Sequence, residues 1–126
     1  MISFKLSERK NPLDSEAQTK YYATAVSNGT LSLKDLAKQI AMLSTVSRTD
    51  CVAVLTGLLE VVPLELLKGN IIRLGDLGSL RVTLSSEGAE SEEDFSSSLI
   101  KNANVRFLPG QELKQEMLKA EYSKIK

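Results

Sequence analysis

Between Cys51 and Leu67 the chain carries Leu55, Leu58, Leu59, Val61, Val62, Leu64 and Leu66 in addition to its two ends, more apolar surface than one helical stripe holds. A helix with so wide a face must be surrounded by other elements. In 126 residues, about the length of one domain, the only other elements on offer are short strands and two short helices. A surface of that size left open marks an interface, so a second chain is the simplest cover and a homodimer is expected.

The segment starts and stops with recognisable signals. Ser47 with Asp50 three positions on forms a capping pattern, and Ser32 with Asp35 forms the same pattern one helix earlier. Leu33, Leu36, Ile40 and Leu43 make the apolar stripe of that first helix, with Leu31 and Leu36 spaced for a hydrophobic staple. Pro63 lacks the N–H that would bond Leu59, so the second helix is expected to kink or break there. Lys68 and Gly69 suit its C-terminus.

Before the helices, Ile2, Phe4 and Leu6 alternate with Ser3, Lys5 and Ser7, the period of a half-buried strand. Asn11-Pro12-Leu13-Asp14-Ser15 reads as a turn, and Tyr21 to Val26 as a second strand closed by Asn28-Gly29. Residues 1–30 thus form a two-stranded extension, with the main domain over 31–126. After the helices, Ile71 to Leu84 reads as strand, glycine-marked turn and strand, and Ala103 to Phe107 as a returning strand. Pro109-Gly110 opens a last helix from Gln111 to about Ser123. The fold class is α+β.

Chemistry is limited by what is missing. Histidine is absent and there is one cysteine, Cys51, so neither the usual general base nor a thiolate metal cluster can be assembled. No nucleophile, carboxylate pair or phosphate loop stands out. The chain reads as a non-enzyme with no cofactor, no metal and no small-molecule substrate. No apolar run approaches the roughly 18 residues needed to span a bilayer, and no membrane partner is expected. Met1-Ile2-Ser3-Phe4-Lys5 is charged early and has no signal-peptide core, so a cytoplasmic location is expected.

Formal net charge is zero, with 16 basic and 16 acidic residues. The balance is uneven along the chain, because Glu87, Glu90, Glu92, Glu93 and Asp94 crowd one segment that holds no lysine or arginine. Elsewhere basic residues exceed acidic ones by five. The acidic run lacks the turn glycine and ligand spacing of a calcium loop and reads as a solvated segment.

Two strings carry a resemblance. Leu74-Gly75-Asp76-Leu77-Gly78-Ser79-Leu80-Arg81-Val82 is similar to the strand-turn motif around Gly-Phe-Gly of the bacterial histone-like HU/IHF DNA-binding family. Val105-Arg106-Phe107-Leu108-Pro109-Gly110-Gln111-Glu112-Leu113-Lys114 is similar to its Phe-Lys-Pro-Gly-Lys-x-Leu-Lys segment. The resemblance covers about Leu31 to Ala120 and leaves residues 1–30 outside. It implies an intertwined dimer with two N-terminal helices, a small antiparallel sheet with a β-arm and a C-terminal helix. It also implies a nucleoid protein that binds and bends double-stranded DNA with little base readout. Carried over, the DNA-binding residues are Arg81 at the start of an arm, Lys101 and Arg106 on its return, and Gly110 and Lys114 at the last helix.

The arm departs from that pattern. No proline lies between Pro63 and Pro109 to wedge base pairs, and the tip is acidic where the family's is basic. Two functions therefore stand side by side: a variant DNA-binding dimer, and a dimeric interaction module of the same fold that no longer binds DNA through its arm. A helix-turn-helix reading of Leu33 to Leu59 ranks last, since only Arg48 and Thr49 at the second helix's start could reach DNA.

Overall fold

The computed structural model describes residues 1–10, 12, 13, 16 and 18–125. The expected turn at Asn11–Ser15 falls partly outside them, with only Pro12 and Leu13 described, both in a turn. The chain runs β1 (Ile2–Arg9), β2 (Lys20–Val26), α1 (Leu33–Leu43), α2 (Arg48–Leu67), β3 (Ile72–Arg73), β4 (Gly78–Ser86), β5 (Ile100–Pro109), α3 (Gln111–Met117) and β6 (Tyr122–Lys124). Short 3-10 turns at Gly75–Leu77 and Ser97–Leu99 sit between strands. The fold is α+β, built on two separate three-stranded sheets.

Both helix starts are capped by serine, as their spacing predicts. At α1 the box is complete. The Asp35 N–H donates to Ser32 Oγ, and the Ser32 N–H donates to the Asp35 carboxylate at 2.8 Å. These bonds hold the Asp35 carboxyl below its ordinary pKa, the backbone donor contributing most. At α2 only the forward half forms, from the Asp50 N–H to Ser47 Oγ. The far end of α2 is closed by a Schellman arrangement. Gly69 at φ +85° gives its N–H to Leu66, and Asn70 reaches back to Glu65.

One expectation, the kink or break at Pro63, is narrowed, and another needs correcting. Helix α2 does not break in two at Pro63 but continues to Leu67. Leu59 and Pro63 are both exposed, so water can serve the carbonyl that proline leaves unpaired. Helix α3 ends at Met117 rather than near Ser123, its last turn tightening through bonds from Leu118, Lys119 and Ala120 to residues three back. The chain beyond it becomes β6, which pairs in parallel with β1 through Ile2↔Tyr122 and Phe4↔Lys124. An open strand edge at the N-terminus thus recruits the end of the chain, a long-range pairing that local periodicity does not encode. The sheet order is β2-β1-β6, so residues 1–30 share their sheet with the segment after the last helix.

The second sheet, order β3-β4-β5, is a long ribbon. Strands β4 and β5 pair antiparallel from Gly78↔Pro109 out to Ser86↔Ile100, with a register shift at Ser85/Ser86. At its base two glycines are fixed by close approach. A Cβ on Gly78, whose φ is +148°, would collide with the Leu108 carbonyl oxygen, and one on Gly110 would collide with the Asp76 carbonyl. Gly110 also donates its N–H to Leu77 at 2.9 Å, locking the start of α3 onto the turn.

Very little of this is covered by the chain itself. Among the described residues only Ala37, Cys51 and Leu66 are buried hydrophobics. On α2, Leu59 is 58% exposed, Leu64 60% and Leu67 83%. The stripe of α1 is open too, with Leu36, Ile40 and Leu43 all exposed. No helix among the described residues is long and apolar enough to cross a membrane.

Gly110 has φ −73°, an angle alanine accepts, so the cost of Gly110→Ala is steric alone. Overpacking of this kind costs about 1–3 kcal/mol. The unfolding free energy of the variant is expected to fall by that amount, read as a lower urea midpoint with an unchanged m-value, and a wild-type midpoint would show that the α3 start tolerates displacement.

Candidate nucleic-acid interface

Residues alternate between the two faces of a strand, and directly paired residues share a face. The observed register therefore sorts the ribbon completely. One face carries Ile72, Leu80, Val82 and Leu84 with Phe107, Val105 and Ala103 from β5. The opposite face carries Arg73, Ser79, Arg81, Thr83 and Ser85 with Asn102, Asn104, Arg106 and, at the root opposite Ser79, Leu108. This polar face holds three arginines, two asparagines and three hydroxyl groups, and no carboxylate.

Arg81 and Arg106 lie directly opposite each other. Like charges in that position destabilise a sheet, so their pairing is unfavourable to the free protein. Arg81 is half-buried, and its Nε is a buried nitrogen with no hydrogen-bond partner among the described residues. An unsatisfied buried donor costs about 1–3 kcal/mol. A face that concentrates cations is suited to an anionic partner.

The other expected site residues are placed differently. Lys101 lies beyond the regular register, near the outer end of β5, where its Nζ stands 3.7 Å from Glu87. Both side chains are more than half exposed, and such a pair contributes little. Gly110 spends its N–H on Leu77 and packs against Asp76, which gives it an evident structural part at the ribbon base. Lys114 sits on α3 and is exposed. The structure thus brings Arg81 and Arg106 together and leaves Lys101, Gly110 and Lys114 outside that cluster. Arg73 is the residue that sequence reasoning missed. Strand β3 is only two residues long, and its register on β4 is what assigns Arg73 to the arginine face.

The acidic segment forms the ribbon's tip. The Glu87 N–H closes onto the Leu99 carbonyl at 2.8 Å, and Glu87, Glu90, Glu92, Glu93 and Asp94 are all exposed. Six residues separate Arg81 from Glu87, about 20 Å of strand. That is more than twice the Debye length of about 8 Å at physiological ionic strength, so the tip's field is largely screened at the arginines. Phe95, which follows the acidic run, stays 43% exposed. Val82, Leu84 and Ala103 border an open cleft with Leu66, Leu67, Gly69 and Ile71 at the end of α2, and Arg81 lines the same cleft.

Two capped helices, a glycine-based ribbon with a cationic face, and a helix locked onto the ribbon's root define a protein of the HU-like class. The chain belongs to the HU-HIG family, described as an HU domain fused to wHTH, Ig, or glycine-rich motif, whose model matches residues 1–124. The match takes in β1 and β2, the part that the HU/IHF resemblance left outside. Among solved structures, the chain is similar in fold to a Bacteroides vulgatus ATCC 8482 protein described as a "Putative bacterial DNA binding protein". The TM-score is 0.67 at 11% identity, over 98% of this chain and 48% of that one. This chain therefore spans about half the length of that structure. No curated protein matches it in sequence.

Removing one of two opposed like charges relieves their repulsion. Arg106→Gln is expected to raise the stability of the free protein by a few tenths of a kcal/mol, up to about 1. Equilibrium denaturation would show it, and a clear loss of stability would mean that Arg106 is held by attractive contacts instead.

Proposed function

We propose that the protein is a non-enzymatic, HU-like DNA-binding protein that acts as a homodimer, laying the arginine face of its ribbon along the phosphates of double-stranded DNA. The observation that carries this reading is the face itself: Arg73, Arg81 and Arg106 with five small polar side chains and no carboxylate. Arginine pairs well with phosphate, and a β-ribbon with such a face follows the backbone with little need for base contacts. Weak sequence preference and an architectural role follow. Lys114 and Lys101 contribute as outlying charges, and Gly110 acts by holding α3 against the ribbon base. Family membership and the described role of the Bacteroides vulgatus protein support the same reading.

The dimer half of the proposal rests on exposed apolar surface. The open faces of α1 and α2 and the apolar side of the ribbon are what a second copy would cover. No cofactor or small molecule enters the proposal, and the site of action is the nucleoid. Residues 1–30 remain, in this reading, an extension added to the main domain of 31–126. The acidic tip is kept out of the groove by its own charge, so bending by a wedge at the tip is not part of this reading. The exposed tip is also the observation that favours the second reading, an interaction module of the same fold whose carboxylates meet a basic protein.

Fluorescence anisotropy on a duplex of ~30 base pairs, titrated over salt, separates the two readings. Binding should weaken steeply with salt, and Arg73→Gln, Arg81→Gln and Arg106→Gln should each reduce the slope of log K against log salt by about 0.9. No binding at low salt would contradict the DNA reading. Replacing the five tip carboxylates by amides is expected to raise affinity, more at 0.01 M salt than at 0.15 M, because the Debye length shrinks from about 30 to about 8 Å. An equal gain at both salts would mean that the tip touches the duplex directly.

A further inference from the structure

The β2-β1-β6 sheet has two unlike faces, and the register of its strands sorts them. Ile2, Phe4 and Leu6 share one face with Ala23, Ala25 and Tyr122, and all but Leu6 line an apolar cleft. The other face carries Lys5 and Arg9 from β1 and Lys20 and Tyr22 from β2, with Ser7 and Thr24 between them. A hydrogen bond of 2.9 Å between the Ser7 and Thr24 hydroxyls joins the two strands across this second face. No carboxylate occupies a strand position on it. Glu8 lies on the first face, where its carboxylate accepts from the Tyr21 hydroxyl at 2.8 Å. All three cations are exposed, and none has a salt-bridge partner within 4 Å among the described residues.

Along this face the groups follow a set order. Arg9 stands directly opposite Lys20, a pairing of like charges that an anion would relieve. Two residues inward Tyr22 stands opposite Ser7, and two further on Lys5 stands opposite Thr24. The tyrosine thus has cations about 7 Å along the strands on either side. Its ring is open to solvent, with Tyr22 46% exposed, and the Arg9 guanidinium lies 5.7 Å from the ring centroid. An exposed ring flanked by cations on an open sheet can stack a base while the cations take the phosphates beside it. Bases in a duplex are already stacked on one another, so the ring selects an unpaired base. We propose that the face of Lys5, Arg9, Lys20 and Tyr22 binds single-stranded nucleic acid. The site lies on a different sheet from the arginine ribbon and takes a different ligand, so it stands or falls separately.

Fluorescence anisotropy with a labelled single strand of ~12 nucleotides, beside a duplex, tests it. Threonine keeps strand propensity and Tyr22 is exposed, so Tyr22→Thr should fold, which circular dichroism checks. Losing one stacked base is expected to weaken single-strand binding about 5- to 150-fold in Tyr22→Thr, with duplex affinity unchanged. Tyr22→Phe keeps the ring and should bind like wild type. The variant Lys5→Gln/Arg9→Gln/Lys20→Gln should lower the salt slope on the single strand by up to about 0.7 per lost contact. The charge-matched control Lys68→Gln/Lys119→Gln/Lys124→Gln, with Lys124 on the opposite face of the same sheet, should leave that slope unchanged. No single-strand binding at low salt, wild-type affinity in Tyr22→Thr, or an equal slope drop in the control overturns the inference. So does a loss in Tyr22→Thr that is matched by Tyr22→Phe or on the duplex, because stacking on the ring would not explain it. A protein that binds the single strand in this way but not the duplex upholds this site and contradicts the ribbon reading.

Discussion

The structure depends on apolar surface that one chain cannot cover. Twenty residues of α2 present leucines and valines around most of its circumference, and the remaining elements hide only Leu66 and Cys51 on it. Fully burying a leucine or valine is worth about 1.5–3 kcal/mol relative to leaving it in water. With Leu58, Leu59, Val61, Leu64 and Leu67 all exposed, that stabilisation is largely unrealised within the single chain. The ribbon repeats the situation, one face apolar and open, the other cationic. Dimerisation is the proposal that makes these faces intelligible, because a second copy brings the same shapes and the same need.

The two faces of the ribbon divide the labour. Strand parity alone separates Leu80, Val82, Val105 and Phe107 from Arg73, Arg81 and Arg106. One register therefore sets both the surface available for assembly and the surface available for an anion. The same register opposes Arg81 to Arg106, so the free protein carries a repulsion that an anionic partner would relieve. Net charge hides this, since the five carboxylates that cancel the surplus lie at the ribbon's tip, which begins at Glu87 about 20 Å of strand from Arg81.

Much of the fold was legible because its signals are local. Serine caps announce α1 and α2, Gly69 closes α2, alternation marks β1, and Pro109-Gly110 marks the start of α3. What was not legible depends on distant partners. Strand β6 exists because the edge of β1 is free, and no periodicity in three residues reveals that. Pro63 is a breaker by local rule yet sits inside a continuous helix, where solvent can serve the orphaned carbonyl. At the candidate site, Arg81 and Arg106 were found through motif similarity, whereas Arg73 needed a register that only pairing defines. Lys5, Arg9, Lys20 and Tyr22 are unremarkable singly, and become a cluster only when β1 pairs with β2.

In the proposed dimer, this fold is completed by a second copy of itself. Sedimentation equilibrium at micromolar concentration, with thermal unfolding followed over a range of protein concentrations, tests it directly. The expected result is a species of twice the 13.8 kDa chain mass and a Tm that rises with concentration, as mass action requires of a dimer whose chains fold together. A folded 13.8 kDa monomer with a concentration-independent Tm would contradict it.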